Sequence, residues 1–342
     1  MYEKLSESNH EIFFVTYGGE DDHDYLKKDS KIKLLTKPER VSNKNYGFLV
    51  PKIHKDILSR VDIIKSHQVL GSAFALYSSK IFNKPYIARC GYLNSVFSKK
   101  SNRPTKEKFR SRLEELITFK LSNACCVPSA NEKNYIAYNY SLDKEKIFIC
   151  PNWIDTNLFK PDQKIKKRPN RLIFVGRFEH QKQPLAVLEI IKGLDDIELL
   201  MIGNGSLKNL IVAKAKNFGI KIVLLDRILN EELPRYLNSA SIYILPTLYE
   251  GGSPKTVLEA MSCGLPILST NSFGVDECYQ DNVHGYKFNS NDISGFRNSV
   301  INLLSDYKKG HKFGIQGRQH IIDNYSIEES VKREENLFYN VL

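Results

Sequence analysis

The sequence predicts an α/β protein built from two doubly wound domains. Short apolar runs alternate with longer amphipathic stretches along the 342 residues, which is the pattern of βα units in parallel sheets. The length allows two domains of ordinary size, each with its own core. A polar, proline-bounded stretch at 161–170 (PDQKIKKRPN) has the composition of a linker between them.

Each half of the chain carries enough candidate strands for a sheet. In the first half the predicted strands are 11–17, 32–35, 62–66, 86–89, 124–127 and 147–150. In the second half they are 171–175, 197–202, 222–225, 241–245, 266–270 and 285–288. Helical periodicity predicts helices at 184–192, 207–218, 231–240 and 256–263. Doubly wound sheets bind ligands beyond the carboxyl ends of their strands, so we expect the functional site in the cleft between the domains.

The beginning of the sequence departs from the usual order of elements. Residues 1–8 predict an amphipathic helix that leads into the strand at 11–17. A doubly wound domain normally opens with a strand and a glycine-bearing turn before its first helix. We therefore expect a first domain at 1–160 that lacks its first strand, followed by a second domain that starts at 161.

The composition is that of a globular protein. Hydrophobic residues make up 42% and charged residues 26% of the chain. No run approaches the roughly 18–20 apolar residues of a membrane-spanning helix, and the polar start does not resemble a signal peptide, so we expect a cytoplasmic protein. The cysteines lack metal-like spacing and are expected to be reduced core residues. They are Cys90, Cys125, Cys126, Cys150, Cys263 and Cys278.

The net charge of +11 is concentrated in the first half of the chain. Residues 1–150 carry 26 Lys and Arg against 17 Asp and Glu, and the densest basic segment is 99–112. Such a segment suits nucleic acid, anionic lipid or a phosphorylated substrate, and a solvated loop leading into a helix is equally compatible with it. Nucleic acid is least favoured because no recognition module is present. Phe97 and Phe109 flank the basic cluster, which favours peripheral docking on an anionic membrane surface.

A strand that opens onto a glycine turn carries the first candidate binding residues. The strand at 171–175 is followed by Gly176 and Arg177, and Lys182 lies five residues after the arginine. Backbone can approach a phosphate closely at such a turn. The planar fork of an arginine and the point charge of a lysine together suit a diphosphate leaving group. Taken alone, this segment is better explained by two surface cations beside a turn.

The second candidate segment is 247–264 (TLYEGGSPKTVLEAMSCG). It leaves a strand, carries Glu250 on a glycine loop and enters a helix at about Lys255. The backbone N–H groups of 253–257 would form an anion site assisted by the helix dipole. Glu259, about one turn into the helix, would accept hydrogen bonds from a ribose, and Glu250 would reach hydroxyls of a sugar. Two glutamates that bracket a glycine-rich turn favour binding over simple charge–dipole stabilisation.

Two other enzyme classes fit less well. Gly203-Asn-Gly205 follows a strand as a dinucleotide-binding motif would, but Lys208 replaces the third glycine. Asp22-His23-Asp24 has the D-x-D form of a metal-dependent transferase, but it lies in an acidic run typical of a solvated loop. Loss of activity on adding a chelator would favour the metal-dependent class.

Together the motifs resemble glycosyltransferase family four, a group of retaining enzymes with the two-Rossmann GT-B fold. The matching segments run through nearly the whole chain. They are 62–67 (DIIKSH), 151–159 (PNWIDTNLF), Gly176-Arg177 with Lys182, 203–205 (GNG), 231–234 (EELP) and 250–266 (EGGSPKTVLEAMSCGLP). The last segment matches the family's two-glutamate signature and its EAM-x-CG-x-P run.

The resemblance implies a retaining, metal-independent hexosyltransferase that needs no cofactor. Its donor would be a UDP- or GDP-sugar, and its acceptor a glycan or lipid-linked glycan of cell-surface polysaccharide or glycoconjugate synthesis. Arg177 and Lys182 would neutralise the leaving diphosphate, Glu250 would contact the donor sugar and Glu259 the ribose. The backbone of Arg227 and Ile228 would meet the base. The implied donor-binding residues are Gly176, Gly203, Gly205, Arg227, Ile228, Gly251, Gly252, Ser253, Pro254, Lys255, Thr256, Val257 and Glu259. The donor domain would end at 325, and 326–342 would form a helix that crosses back to the first domain.

Three features differ from the family pattern. Seven residues usually separate the two glutamates, whereas 251–258 makes eight, which displaces Glu250 from the usual register. Many members carry a His-Gly pair near the reaction centre, whereas this strand ends Arg89-Cys90-Gly91. We place His67, Arg89 and Gly91 on the acceptor side, with Arg89 a candidate for an anionic acceptor. Because the first strand is missing, the alternative is a truncated, catalytically impaired nucleotide-sugar-binding protein.

Overall fold

Parallel β-sheets form the centre of both halves of the chain. The computed structural model describes residues 1–26, 29–100 and 104–342. They divide into two compact units: unit 1 is Met1–Pro151 with Ile327–Leu342, and unit 2 is Asn152–Ser326. The division falls before the linker predicted at 161–170. The reason is that Ile154 forms a parallel bridge with Ser326 and Phe159 is buried in the core of unit 2.

Unit 1 contains two parallel sheets within the described residues. One pairs β1 (Phe13–Val15) with β2 (Lys33–Leu35), and the other has the strand order β3-β4-β5-β6. The strands of the second sheet are β3 (Ile64–Ser66), β4 (Tyr86–Arg89), β5 (Ala124–Val127) and β6 (Ile147–Ile149). The helices of this part of the chain are α1 (Tyr2–Glu7), α2 (Asn43–Ile53), α3 (Lys55–Leu58), α4 (Ser72–Phe82), α5 (Asn94–Lys100), α6 (Thr105–Leu121) and α7 (Ala130–Tyr140).

Unit 2 is built on one parallel sheet with the order β12-β11-β10-β7-β8-β9. Its strands are β7 (Arg171–Val175), β8 (Glu198–Ile202), β9 (Lys221–Leu225), β10 (Ile242–Leu245), β11 (Ile267–Thr270) and β12 (Gly285–Phe288). Its helices are α8 (Pro184–Ile191), α9 (Lys208–Asn217), α10 (Leu233–Asn238), α11 (Lys255–Ser262), α12 (Ile293–Ser305) and α13 (Tyr307–Tyr325). The chain runs from β7 out to β9, returns beside β7 as β10, and then runs the other way. This reversal creates a switch point between β7 and β10.

The predicted α/β fold class and its strands are confirmed. Four strands have the predicted bounds: 86–89, 124–127, 171–175 and the edge strand 285–288. Every residue of the first three is buried, and continuous buried runs in parallel strands are easily recognised in the sequence. The strand predicted at 11–17 is shorter, since its ladder with β2 covers only Phe13–Val15. The cysteines are buried, as expected. No helix in the described ranges is long and apolar enough to cross a membrane.

The structure describes the acidic segment 22–24 of unit 1 completely and the basic segment 99–112 in part. Asp22-His23-Asp24 lies in a short 3-10 helix, Glu20–Tyr25, in the connection between β1 and β2. In the basic segment, Arg103 and the side chains of Lys99 and Lys100 lie outside the described residues. Residues 101–103 lie outside the described part of the chain as a whole, and 105–112 belong to the first half of α6.

The last helix, α14 (Ile327–Val341), packs on the sheet of unit 1. Its Glu334 side chain is 1% exposed and pairs with both Lys65 of β3 and Arg89 of β4, the latter at 3.2 Å. Burial lowers the pKa of Lys65, but Glu334, Tyr2 and Cys126 together raise it by more, so the ammonium stays charged. Leu337 fills the apolar layer on the same sheet face. One carboxylate therefore holds two buried cations beneath the helix.

Replacing Glu334→Gln should loosen α14, because it leaves two buried cations without a counter-charge. Breaking a buried ion pair from one side costs about 3–5 kcal/mol. We expect a lower thermal unfolding midpoint and faster hydrogen exchange of the α14 amides. Glu328→Gln, at an exposed site in the same helix, is the matched control. Equal midpoints and exchange rates for both variants would show that the pairs do not anchor the helix.

Candidate active site

The residues predicted to bind a donor lie where four neighbouring strands of unit 2 end. Gly176 follows β7, Gly203 follows β8, Arg227 lies just after β9, and Glu250 lies on the loop after β10. Neighbouring parallel strands end at one edge of the sheet, so the fold brings these loops together at the switch point.

The glycines after β7 and β8 allow two loops to touch. A Cβ on Gly203, which has φ of +147°, would lie 2.0 Å from the carbonyl oxygen of Gly176. A Cβ on Gly205 would lie 2.6 Å from the carbonyl oxygen of Phe178. The backbone N–H of Phe178 donates to the carbonyl of Asn204 at 2.9 Å. Glycine is therefore required at 203 and 205 by backbone packing, whatever either position binds.

Lys182 and Glu250 meet across the switch point. The Nζ atom of Lys182 lies 2.7 and 2.8 Å from the two carboxylate oxygens of Glu250. Their side chains are only 12% and 8% exposed. The displacement predicted for Glu250 from the extra loop residue therefore does not separate it from Lys182.

Gln181 ties the same two loops together, and the sequence motifs gave no signal for it. Its side-chain amide donates to the carbonyl of Tyr249 at 2.8 Å, and its backbone carbonyl accepts from the N–H of Leu248 at 2.9 Å. Its side-chain oxygen accepts a 3.0 Å hydrogen bond from the guanidinium of Arg177. Arg177 itself is exposed, so it keeps donors directed at solvent. In the sequence, Gln181 is indicated only by its position between Arg177 and Lys182.

The loop that carries Glu250 is held by the loop after β11. The Glu250 N–H donates to the carbonyl of Phe273 at 2.8 Å. A Cβ on Gly274 would lie 2.7 Å from the carbonyl oxygens of both Glu250 and Gly252. Gly252 has φ of +71°, a left-handed conformation that a glycine adopts without strain. Gly251 and Gly252 thus absorb the extra residue inside the loop, which leaves Glu250 in reach of Lys182.

The helix start at α11 offers fewer backbone donors than predicted. The prediction assigned N–H groups at 253–257, but Pro254 has no N–H and the Val257 N–H donates to the Pro254 carbonyl at 3.0 Å. Pro254 and Val257 therefore do not contribute donors, and Val257 instead packs in the core. Ser253, Lys255 and Thr256 remain as the candidate positions at the positive end of the helix dipole.

Two residues that the sequence did not single out support this helix start. Asn152 donates its side-chain amide to the Ser253 carbonyl at 2.7 Å. The ammonium of Lys255 lies 4.5 Å from the ring centroid of Trp153. Both lie in the PNWID segment, which explains why that segment follows the family pattern although it precedes the sheet of unit 2.

Glu259 is a buried carboxyl group in the middle of α11. It is 5% exposed, and burial raises its pKa to about 7 although the charge of Lys255 acts the other way. The charge of Lys255 is the electrostatic contact that favours its ionised form. A carboxylate held about one turn into a helix that begins at the sheet edge is suited to accept from a ligand hydroxyl.

The two residues predicted to bind the base, Arg227 and Ile228, differ in how far their side chains are buried. Arg227 is exposed on the loop after β9, whereas the Ile228 side chain packs against the core of unit 2. The neighbouring Asp226 accepts from the Asn204 side chain at 3.0 Å and pairs with Lys208 at 2.5 Å. The Ile228 side chain is thus occupied in the core, and a base contact by this residue would have to use its backbone, as the family resemblance implies.

Of the residues predicted on the acceptor side, His67 and Gly91 lie on adjoining loops of unit 1. Gly91 donates its N–H to the side chain of Gln68 at 3.1 Å, and a Cβ there would lie 2.6 Å from that side chain. The His67 ring contacts Tyr2 edge-on. Desolvation, together with the charges of Arg89 and Lys65, lowers the pKa of His67 to about 4, so its imidazole is neutral at pH 7.

The structure argues against the acceptor role predicted for Arg89. Its side chain is buried under α14, where it pairs with Glu334 and lies 3.7 Å from the sulfur of Cys126. The residue is 8% exposed. To bind an external anion, Arg89 would have to break its pair with Glu334. The buried Glu334 carboxylate would then keep only part of its compensating charge. No sequence motif indicates this pairing, because Glu334 lies 245 residues away along the chain.

Glu259→Gln should stabilise the protein at high pH. Glu259 titrates near 4.5 in an unfolded chain and near 7 in the folded one, so the folded state binds the extra proton and stability falls as pH rises through that interval. This pKa shift corresponds to a change of about 3 kcal/mol in the free energy of unfolding. We expect the variant and wild type to unfold at similar temperatures at pH 4, and the variant at a higher temperature at pH 8. Glu231→Gln, at an exposed site, is the control, and a gap that does not change with pH would contradict the assignment.

Sequence comparisons with known proteins match this chain to glycosyltransferases. The family model described as Glycosyltransferase Family 4 matches residues 1–158, and that described as Glycosyl transferases group 1 matches 155–320. The chain is 23% identical over 303 residues to the Escherichia coli UDP-Gal:alpha-D-GlcNAc-diphosphoundecaprenol alpha-1,3-galactosyltransferase, covering 83% of this chain and 76% of that protein.

Solved structures show the same fold. A sucrose-phosphate synthase from Thermosynechococcus elongatus superposes with a TM-score of 0.83 at 16% identity, covering 99% of this chain and 90% of the other. An Anabaena protein crystallised with UDP gives a TM-score of 0.77 at 12% identity, covering 97% and 100%. The motifs, the two family models and the fold agree. The chain belongs to glycosyltransferase family four and has the GT-B fold.

Proposed function

We propose that this protein transfers a hexose or similar sugar from a UDP- or GDP-sugar with retention of configuration and without a metal ion. The observation that carries the proposal is the buried Lys182–Glu250 pair at the switch point, with Arg177 beside it and the start of α11 on the same loop system. Cations and a helix start gathered at one sheet edge are suited to a diphosphate.

The two cations keep donors for a diphosphate. A lysine ammonium has three N–H donors, and Lys182 uses two of them on the oxygens of Glu250, which leaves the third. Within the described part of the chain, Arg177 makes one side-chain hydrogen bond, to Gln181, out of the five that a guanidinium offers. Developing negative charge on the leaving diphosphate would be stabilised by these fixed groups, the electrostatic contribution that is usually the largest in catalysis. No metal is needed for that role in the proposal.

The remaining donor contacts follow from position. Glu259 would accept hydrogen bonds from ribose hydroxyls, which favours its ionised form. Glu250 would turn one oxygen toward the transferred sugar while it holds Lys182. The backbone at Arg227 and Ile228 would meet the base, and Gly203 and Gly205 would let the donor approach the loop after β8.

The acceptor is proposed to be a glycan or a lipid-linked glycan of cell-surface polysaccharide or glycoconjugate synthesis. Support comes from the Escherichia coli relative, whose name specifies a diphosphoundecaprenol-linked acceptor. In unit 1 the adjoining loops that carry His67 and Gly91 are the candidate acceptor side. A neutral imidazole at pH 7 can accept or donate one hydrogen bond to a sugar hydroxyl.

Arg177→Ala and Lys182→Ala should each lower the transfer rate by about 10²–10³-fold, because each removes a donor that stabilises the leaving group. Turnover is measured by release of UDP or GDP from a panel of UDP- and GDP-sugars, with and without glycan acceptors. Lys216→Ala, which removes an exposed lysine of α9, is the control and should retain the wild-type rate.

Near-wild-type turnover in either cation variant would remove the diphosphate role. A wild-type chain that binds UDP or GDP tightly but never hydrolyses or transfers any sugar would instead show a nucleotide-sugar-binding protein without catalysis. Inactivation of the wild type by a chelator, with recovery on adding a divalent metal, would contradict metal independence.

A further inference from the structure

Helix α6 of unit 1 has an unusual distribution of apolar residues for a surface helix. Its buried residues are Phe119 and two polar ones, Glu115 and Thr118. The buried Glu115 accepts hydrogen bonds from the Ser95 N–H at 2.9 Å and from the Tyr140 hydroxyl. The hydroxyl of Thr118 lies 2.7 Å from that of Ser72 on the neighbouring helix α4. A surface helix of a globular protein normally turns its apolar stripe inward.

The outward side of α6 is apolar. It carries a row of large side chains at three- and four-residue spacings, which place them on one helix face. They are Phe109, Leu113, Leu116, Ile117 and Leu121. Phe109 is 69% exposed and Leu121 49% exposed, so the row faces solvent along nearly the whole helix. We call this row the α6 apolar face.

Basic side chains are interleaved with the α6 apolar face. They are Lys106, Lys108, Arg110, Arg112 and Lys120, against Glu107 and Glu114 as the acids outside the interior. Glu114 is occupied by Arg110 at 2.8 Å. An exposed apolar patch rimmed by an excess of positive charge is the pattern of a helix that lies in the interface of a bilayer with anionic lipids.

We propose that the α6 apolar face docks unit 1 on the surface of an anionic lipid bilayer. A second copy of the chain fits less well, because two such faces would bring like charges together. The contact is peripheral, with the apolar side chains at the acyl boundary and the basic ones at the headgroups. The proposal goes beyond the sugar-transfer function and does not depend on it, because it rests on α6 alone.

The first experiment measures sedimentation of the purified full chain with vesicles. One set contains phosphatidylcholine only, and the other contains about 30% phosphatidylglycerol, at about 0.1 M salt. We expect at least about tenfold tighter binding to the anionic set, weakened by added salt. The triple variant Phe109→Ser, Leu113→Ser and Ile117→Ser should lose that binding by about tenfold or more. Leu210→Ser with Val212→Ser, two exposed apolar residues of α9 in unit 2, is the matched control and should bind as wild type does.

A second measurement reports the depth of insertion. Leu113→Trp should shift its fluorescence emission to shorter wavelength with anionic vesicles, and Leu210→Trp should not. If the triple variant fails to fold, Lys106→Gln with Arg110→Gln and Lys120→Gln serves instead and should lose the preference for anionic vesicles. Equal binding of the wild type to both vesicle sets, or no emission shift at position 113, would overturn the proposal. A concentration-dependent oligomer that the triple variant dissolves, without vesicle binding, would assign the face to self-association.

Discussion

The ion pair between Lys182 and Glu250 is the contact on which the arrangement of unit 2 depends. The winding of the sheet reverses between β7 and β10, so the loops after these strands have no crossover that packs them together. Lys182 and Gln181 reach across that gap and bind the β10 loop through a carboxylate and two backbone groups. Burying a charge pair seldom adds net stability compared with apolar packing. The pair is therefore better explained by binding, because it keeps a charged ammonium in place where a diphosphate is proposed to sit.

The arrangement of unit 1 depends on a second set of buried charges. Alternate residues of its strands face opposite sides of the sheet. Ile87, Ala124 and Cys126 meet α14 on one side, and Tyr86, Ala88, Cys125 and Val127 form the core on the other. On the first side Glu334 neutralises two cations that would otherwise be isolated. On the second side α6 turns Phe119 and two polar residues inward, which leaves a row of apolar residues on its outer face. Helices therefore cover both sides of the sheet, and lipid is proposed to cover only the outer face of α6.

Much of the fold was predictable from the sequence because apolar runs in central parallel strands are long and continuous. The positions of Arg177, Lys182 and Glu250 at strand ends were predictable for the same reason. Contacts that depend on distant residues were not. Gln181 has no distinctive spacing, Gly274 is required only by the approach of the Glu250 loop, and the partner of Arg89 lies in the last helix. The anion site at 253–257 was overestimated, because spacing does not show that Val257 already donates to Pro254.

The central claim is that Lys182 is shared between Glu250 and the diphosphate of the donor. It is tested most directly by calorimetric binding of UDP or GDP, whichever the wild type binds, to Glu250→Gln. A neutral amide competes less for the ammonium, so the account predicts that the nucleoside diphosphate binds about tenfold more tightly, about 1.4 kcal/mol, while Lys182→Ala binds it more weakly. Unchanged or weaker binding to Glu250→Gln, with no loss in Lys182→Ala, would contradict it.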